Sequence, residues 1–335
     1  MFENIYQEKA GCGGSQTRPS NLYLIRGEPR SLLIDTGFAT AESQAAVLGM
    51  LRELQIPLSS LDVFLTHNHP DHAGLAPFLA AEGARMLMKR EEKDTCAMLC
   101  GYFLDSREES LRRLRQHGWN EKEAQWILQQ GRQEKYRYNG GPGGRFPFTD
   151  VRPGERLRYG GYTLEVVDLA GHTPHQIGLA DRQHRWLFLG DTLSKRQVLI
   201  LSAREAGENL LSKHLRTLER LETEFADFWM IPTHYAPFYG PKKAAENTRR
   251  YFAHILEKCA AALEEGSAGK TLAQVLRMVF RYTEHSVLEE EMLRLHFRLS
   301  NTLACLDELV CRGLAARRET DGVWFWEAVQ PAYFS

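Results

Sequence analysis

Seven residues of the types that hold metal ions fall in four short turn-like segments of this chain. The densest is Thr66-His67-Asn68-His69-Pro70-Asp71-His72-Ala73-Gly74, which packs three imidazoles and a carboxylate together directly after the strand-like segment Leu61 to Leu65. Imidazole and carboxylate suit zinc, iron and manganese, and a loop leaving a strand can aim alternate residues at one point. A single surface histidine needs no explanation, but an HxHxDH pattern is hard to account for without a ligand role. Three later segments each add one more ligand type after an apolar strand: Ala170-Gly171-His172-Thr173-Pro174, Leu189-Gly190-Asp191-Thr192 and Pro232-Thr233-His234-Tyr235. Any one of these alone reads as an ordinary turn.

The elements that must position these residues alternate between strands and helices. Asn21 to Ile25 and Ser31 to Ile34 read as a hairpin around Gly27-Glu28-Pro29, ending at Asp35-Thr36-Gly37. A helical pattern from Ala41 to Leu54, the strand Leu61 to Leu65, a helix from Leu75 to Ala81 and a strand from Arg85 to Met88 give α/β layering. Residues 91 to about 140 are charged and helix-rich, with Asn120 and Glu123 spaced as a capping box, and read as a helical insertion closed by Gly140-Gly141-Pro142-Gly143-Gly144. Strands resume from Arg156, in Tyr162 to Asp168, Ile177 to Ala180 and Trp186 to Leu189. A helix from Glu205 to Glu222, a strand from Phe228 to Pro232 and a helix from Lys242 to Leu263 follow. The expected organisation is a domain over 1–264 and a small module over 270–335, linked at Glu264 to Gly269. The module has helices at 271–281 and 288–312, the second broken near Ser300. It ends in a hairpin of Leu314 to Arg318 and Val323 to Glu327, turned by Thr320-Asp321-Gly322, a winged-helix-like order.

Taken together and in this order, the four ligand segments and the Leu33-Ile34-Asp35-Thr36-Gly37 turn resemble the metallo-β-lactamase superfamily over residues 20–240, apart from the insertion. The resemblance implies an α/β fold of the αββα sandwich type. It assigns His67, His69 and His172 to one metal and Asp71, His72 and His234 to a second, with Asp191 bridging. Asp71 would also bind the attacking water, and Asp35 would steady the metal loop. Each metal then has three terminal ligands and a shared bridge, which leaves room for a water or hydroxide whose pKa two divalent ions bring toward neutrality. Zinc is the expected metal, with iron or manganese compatible with the carboxylate bridge.

Superfamily members hydrolyse thioesters, lactones, β-lactams and phosphodiesters, so the ligands specify a mechanism more firmly than a substrate. Asp191 stands where β-lactamases of this fold commonly carry Cys, which aligns the chain with the hydroxyacylglutathione hydrolase type and points to a small ester, thioester or lactone. The tail departs from that type and is similar to the β-lactamase-like protein 2 group, some members of which cut single-stranded RNA. A single-stranded RNA endonuclease is therefore one alternative, and a mononuclear iron persulfide dioxygenase another. A degenerate, metal-free binding scaffold is disfavoured by the intact ligand set. RNA binding is disfavoured by Asp307 and Glu308 in the helix before Gly313, and by eight basic against nine acidic residues from Lys270 onward.

The whole chain of 335 residues carries 42 basic and 43 acidic residues, so no global field draws it to nucleic acid or an anionic membrane. It shows no long apolar run and no secretory leader pattern, and its cysteines at 12, 96, 100, 259, 305 and 311 form no CxxC pair. The expectation is a cytoplasmic protein with small buried thiols, acting on a small molecule, and compatible with a homodimer. Lys195, Tyr235, Tyr239 and Lys242 are substrate-binding candidates through proximity in the chain to the ligands. His175 is read as a turn residue, and His117, His184, His214, His254, His285 and His296 as surface or packing residues. The insertion is placed either to cover the site as a lid that selects substrate or to serve as a packing element.

Overall fold

The structure, a computed structural model, describes residues 3–11, 18–93, 107–131, 146–203, 206–265 and 268–329. The chain begins with β1 (Ile5–Ala10), β2 (Ser20–Ile25), β3 (Ser31–Ile34), α1 (Ala41–Glu53), β4 (Leu61–Phe64), α2 (Pro70–Ala73), α3 (Ala76–Ala81), β5 (Arg85–Met88) and α4 (Arg90–Lys93). Helices α5 (Arg107–Gln116) and α6 (Glu121–Gly131) lead to β6 (Phe148–Asp150), β7 (Arg156–Tyr159), β8 (Tyr162–Asp168), β9 (Ile177–Asp181) and β10 (Trp186–Gly190). After α7 (Leu210–Glu224), β11 (Trp229–Pro232), β12 (Phe238–Tyr239) and α8 (Lys242–Glu264) come α9 (Leu272–Phe280), α10 (Glu284–Glu289), α11 (Met292–Cys311) and the hairpin β13 (Ala315–Thr320) and β14 (Val323–Ala328).

Two compact units emerge. The first draws on 1–96, 134–199 and 216–245, and the second on 97–133, 200–215 and 246–335. In the first unit one sheet runs β1-β2-β3-β4-β5-β6 and the other β12-β11-β10-β9-β8-β7. The burial pattern explains why these segments form two faces. In β2 and β3, Leu22, Leu24 and Leu33 join Leu61, Val63 and the α1 residues Val47 and Leu51 in one cluster. The alternate residues Tyr23, Ile25, Leu32 and Ile34 meet Val166, Leu179, Phe188 and Ile231 of the second sheet in another. Strands buried on both faces read as continuous apolar runs rather than alternating ones, as Leu22–Ile25 does. This is the αββα sandwich. The parallel pairs β3–β4 and β10–β11 bring the carboxyl ends of those strands to the same edge of their sheets. At that edge of the sandwich the backbone N–H of Ile177 donates to the Thr66 carbonyl at 3.0 Å.

The second unit is built mainly from helices. The Asn120/Glu123 capping box forms as its spacing predicts: the Asn120 side chain accepts from the Glu123 N–H at 3.0 Å, and the Glu123 carboxylate from the Asn120 N–H at 3.3 Å. Glu123, buried, also receives Arg277 of α9 at 2.5 Å. The His117 carbonyl accepts the Ala273 N–H at 3.0 Å, and the His117 ring lies 5.3 Å from that of Trp324 on β14. The described helices of the insertion therefore pack against α9 and the terminal hairpin. The α11 helix differs from expectation in running unbroken through Ser300, with the interruption falling at residues 290–291 instead. Polar side chains in this stretch find partners within the helix: Thr302 Oγ1 donates to the Arg298 carbonyl at 2.7 Å, and Ser300 Oγ meets His296 Nδ1 at 3.3 Å. The buried Asn301, Asp307 and Glu308 face the segment 200–212. Asn301 accepts from the Leu201 N–H at 2.9 Å, Asp307 from the Gly207 N–H at 2.8 Å, and Glu308 from the Ser212 hydroxyl.

Of the cysteines, Cys259 and Cys305 are buried and Cys311 is exposed. Cys12, Cys96, Cys100 and the Gly140–Gly144 stretch lie outside the described residues. No helix among the described residues is long and apolar enough to cross a membrane.

Candidate metal centre

All seven predicted ligands come together at the edge where β4, β8, β10 and β11 end. They form two groups, His67, His69 and His172 in one and Asp71, His72, Asp191 and His234 in the other, with the ligand atoms of each group within 4.8 Å of one another. His69 Nδ1 stands 3.0 Å from His67 Nε2 and 2.9 Å from His172 Nε2. Asp191 Oδ2 lies 3.5 Å from both His72 Nε2 and His234 Nε2 and 3.8 Å from His172 Nε2, so one carboxylate oxygen faces both groups. Asp71 Oδ2 is 3.1 Å from His234 Nε2.

The local chain path makes this convergence. The chain bends at Thr66 and His67 after β4, and Pro70 then opens the short α2 turn, which returns Asp71 and His72 to the side of His67. Gly74 lets the turn pack tightly, because a Cβ there would stand 2.4 Å from Ala39 N and 2.6 Å from the Gly37 carbonyl. Gly190 holds φ +54° just before Asp191, in the left-handed region that favours glycine.

Hydrogen bonds behind the ligands set the tautomers. Asp35, buried and at φ 59°, accepts from the Thr66 N–H at 2.9 Å, from the Thr66 hydroxyl at 3.0 Å, from the Thr233 hydroxyl at 3.2 Å and from His72 Nδ1 at 2.7 Å. Because the Thr66 hydrogen goes to Asp35, the Thr66 oxygen is left to accept from His67 Nδ1 at 3.0 Å. His234 Nδ1 donates to the Pro19 carbonyl at 3.3 Å. Each of His67, His72 and His234 thus carries its proton on Nδ1 and turns an Nε2 lone pair inward.

Lone pairs and carboxylates facing one another require a cation between them. His72 Nε2 and Asp191 Oδ1 are buried without a hydrogen-bond partner, an arrangement that is costly in a low-dielectric interior unless an ion completes it. The donor set and these orphaned atoms therefore fit divalent metal. The titration tendencies differ between the two groups: burial lowers His72, but the charges of Asp35, Asp191 and Asp71 outweigh it and raise it well above the ordinary histidine range. Burial, followed by the charges of His72, His69 and His172, holds His67 well below the ordinary histidine range, as a neutral ligand must be. Burial also pulls His234 down, but the charges of Asp191 and Asp71 and the Asp71 bond outweigh it and raise His234 to about 9.

The substrate candidates are not gathered in one place. Tyr235 directly follows His234, is half-buried and holds φ 72°, while Lys195 is exposed four residues after Asp191. Tyr239 pairs with Trp229 at the start of β11, roughly 10 Å along the strand from its ligand end. Lys242 lies beyond it, at the opening of α8. Chain proximity misleads here because β12 doubles back from the ligand end. Pro19, Ser20 and Asn21 also hold the site in place. Ser20 Oγ donates to the Asp71 carbonyl at 2.9 Å, and Asn21 donates from its backbone to the Thr233 carbonyl and from its side chain to the Tyr235 carbonyl, both at 2.7 Å. A polar Asn opening an apolar strand was the available signal. Among the other histidines, His184 is bonded to Asp181 at 2.8 Å, His117, His214 and His296 are buried, and the His285 side chain lies outside the described residues.

An αββα sandwich with a histidine and aspartate cluster at one edge defines a class of metal-binding α/β proteins. A family model described as the metallo-beta-lactamase superfamily matches residues 16–264. The chain belongs to that superfamily. A metallo-beta-lactamase family protein from Thermus thermophilus is 23% identical, with a TM-score of 0.73 over 97% of this chain and 99% of that one. A beta-lactamase domain protein from Burkholderia ambifaria is also 23% identical, with a TM-score of 0.76 over 98% of this chain and 93% of that one. A metallo-beta-lactamase from Pontibacter korlensis reaches a TM-score of 0.51 at 16% identity, covering 74% of this chain and 94% of that one. At these identities the likeness is one of fold.

Proposed function

We propose that the chain is a binuclear metal-dependent hydrolase that attacks a small ester, thioester or lactone. The observation that carries this reading is the single Asp191 oxygen facing both ligand groups, at 3.5 Å from His72 and His234 and 3.8 Å from His172. Two divalent metals held there, zinc first and iron or manganese next, would supply hydroxide at neutral pH and polarise the substrate carbonyl. His67, His69 and His172 would hold one ion, Asp71, His72 and His234 the other, and Asp191 both. Asp71, kept ionised by His72 and its bond to His234 in spite of burial, is suited to accept a hydrogen bond from the attacking water. Asp35, through Thr66 and His72, keeps both halves of the ligand set in the ligating tautomer.

The small-molecule reading is favoured over RNA cleavage by one further observation. In the winged-helix-like order of α9 to α11 and the hairpin, the helix suited to reading nucleic acid turns Asn301, Asp307 and Glu308 toward segment 200–212. The test is a panel of acyl thioesters, lactones, esters and single-stranded oligonucleotides, with metal content assayed alongside. Metal-dependent turnover of carbonyl substrates supports the reading. Turnover of oligonucleotides alone, or a content below one metal per chain, overturns it.

A further inference from the structure

The segment 18–21 is fastened to the Asp71/His234 half of the centre at four points. Pro19 O meets His234 Nδ1 at 3.3 Å, Ser20 Oγ donates to the Asp71 carbonyl, and Asn21 binds the carbonyls of Thr233 and Tyr235. At the head of this segment Arg18 is exposed, and its guanidinium carbon lies over the Tyr235 ring, 4.7 Å from the centroid. Tyr235 is itself held in the left-handed region, where a bulky side chain sits only if its surroundings impose it. The Asn21 bond to its carbonyl helps to hold the backbone there.

Most surface arginines near acidic residues are paired, as Arg182 is with Glu165 and Arg220 with Glu224. Among the described residues no carboxylate pairs with Arg18. A guanidinium lying over an aromatic ring keeps its N–H fork available, and that fork matches an oxyanion in two-point geometry. Its place is defined as well. Arg18 lies over the ring of Tyr235, the residue after His234, which puts an anion bound there on the His234 side of the centre.

We propose that Arg18, oriented by Tyr235, is a specificity residue that binds a terminal oxyanion of the substrate, a carboxylate or a phosphate, a few bonds from the carbonyl attacked. The substrate class then narrows to acyl compounds carrying a negative group on the acyl or the leaving side. Lys195 and the Tyr239/Lys242 pair have no comparable tie to the ligands. The proposal rests on the reading of the centre as a metal site, to which one end of such a molecule binds while Arg18 takes the other.

The test measures equilibrium binding rather than turnover, so it is independent of whether the right ester has been found. Zinc-loaded full-length protein is titrated with succinate, glutarate and pimelate, each against its monoamide, and with 4-phosphonobutyrate. The expectation is that at least one diacid binds about five- to tenfold more tightly than its monoamide, the range for a charge-assisted but exposed contact. In Arg18→Gln the ratio falls to near one, and in Arg18→Lys it lies between, since the charge survives but the fork does not. Tighter binding of the phosphonate that also depends on Arg18 identifies phosphate as the group read. Ratios near one for every pair in the wild type, or ratios unchanged in Arg18→Gln, overturn the proposal. Absence of turnover across the carbonyl panel with these ratios intact would instead sink the hydrolase reading.

Discussion

Replacing Asp35 by Asn should remove metal from a site in which Asp35 is not a ligand. The backbone tolerates the change, since Asn, like Asp, adopts the left-handed conformation that position 35 holds at φ 59°. One side-chain oxygen remains to accept from Thr66. The other becomes an amide nitrogen that would donate toward His72 Nδ1, now 2.7 Å away, and toward the Thr233 hydroxyl at 3.2 Å. Two donors cannot share that contact, so His72 moves its proton to Nε2, the atom meant for metal. The affinity of the Asp71/His72/His234 position should fall about 10- to 100-fold, the usual effect of losing an orienting partner behind a metal-bound imidazole, or roughly 1.4 to 2.7 kcal/mol. The His67/His69/His172 position should lose less, because Thr66 still bonds the residue at 35. Competition with a chromophoric chelator, together with elemental analysis after gel filtration, reads both positions. Stoichiometry should drop from two metals toward one. An Asp35→Asn protein that holds two metals with affinities within threefold of wild type would refute the tautomer argument.

Asp191→Ala should release more metal than His234→Ala, since it strips a donor from both groups. Equal retention of metal in Asp191→Ala and wild type, measured by elemental analysis, would show that the bridge is misassigned. Glu123→Ala should destabilise the second unit by about 3–5 kcal/mol, because it leaves Arg277 without its buried partner and removes half of a capping box; denaturant unfolding measures this. Burial, reinforced by Arg113, pushes His117 down to about 3. The fold therefore favours neutral His117, and the stability this gives is present above about pH 6.5 and is lost as pH falls toward 3, by up to about 5 kcal/mol. His117→Phe should flatten that acid loss in unfolding midpoints taken between pH 4 and 7, and a slope unchanged by the substitution would count against the assignment. Excising α5 and α6 should expose the α9 and hairpin surfaces they cover and cause aggregation. A truncated protein that stays folded with altered substrate ranking would instead favour a lid.

The ligand cluster was legible because its chemistry is local. His67, His69, Asp71 and His72 are close in sequence, and imidazole with carboxylate at that spacing has few other uses. The capping box was legible for the same reason, since Asn120 and Glu123 satisfy each other's N–H groups within one turn. What lay beyond reach was long-range. Amphipathic periodicity shows that α5 and α6 have a buried face but not that α9 and the terminal hairpin cover it. Tyr239 is five residues from His234 in the chain yet lies at the far end of β11, because position after a strand says nothing of a reversal in direction. Ser300 looked like a helix breaker because serine competes for backbone hydrogen bonds, and a nearby histidine supplies that bond within the helix. The tie between Asn21 and the Thr233–Tyr235 turn spans more than 200 residues, and no pattern within either segment announces it.

The hydrogen bonds joining Asp35 to Thr233, Asn21 to Thr233 and Tyr235, and Thr66 to Ile177 run from one sheet to the other behind the ligands. As a result, the loops at this edge are not independent cassettes. A loop grafted from a relative would arrive with its own ligand but without the matching donor on the opposite sheet, and the orphaned group would be buried. Recombination in this fold should therefore succeed when crossovers carry the 18–21, 35–37 and 233–235 segments together. Directed evolution of a new activity has its freest ground at the rim, around Lys195, where the side chain reaches solvent.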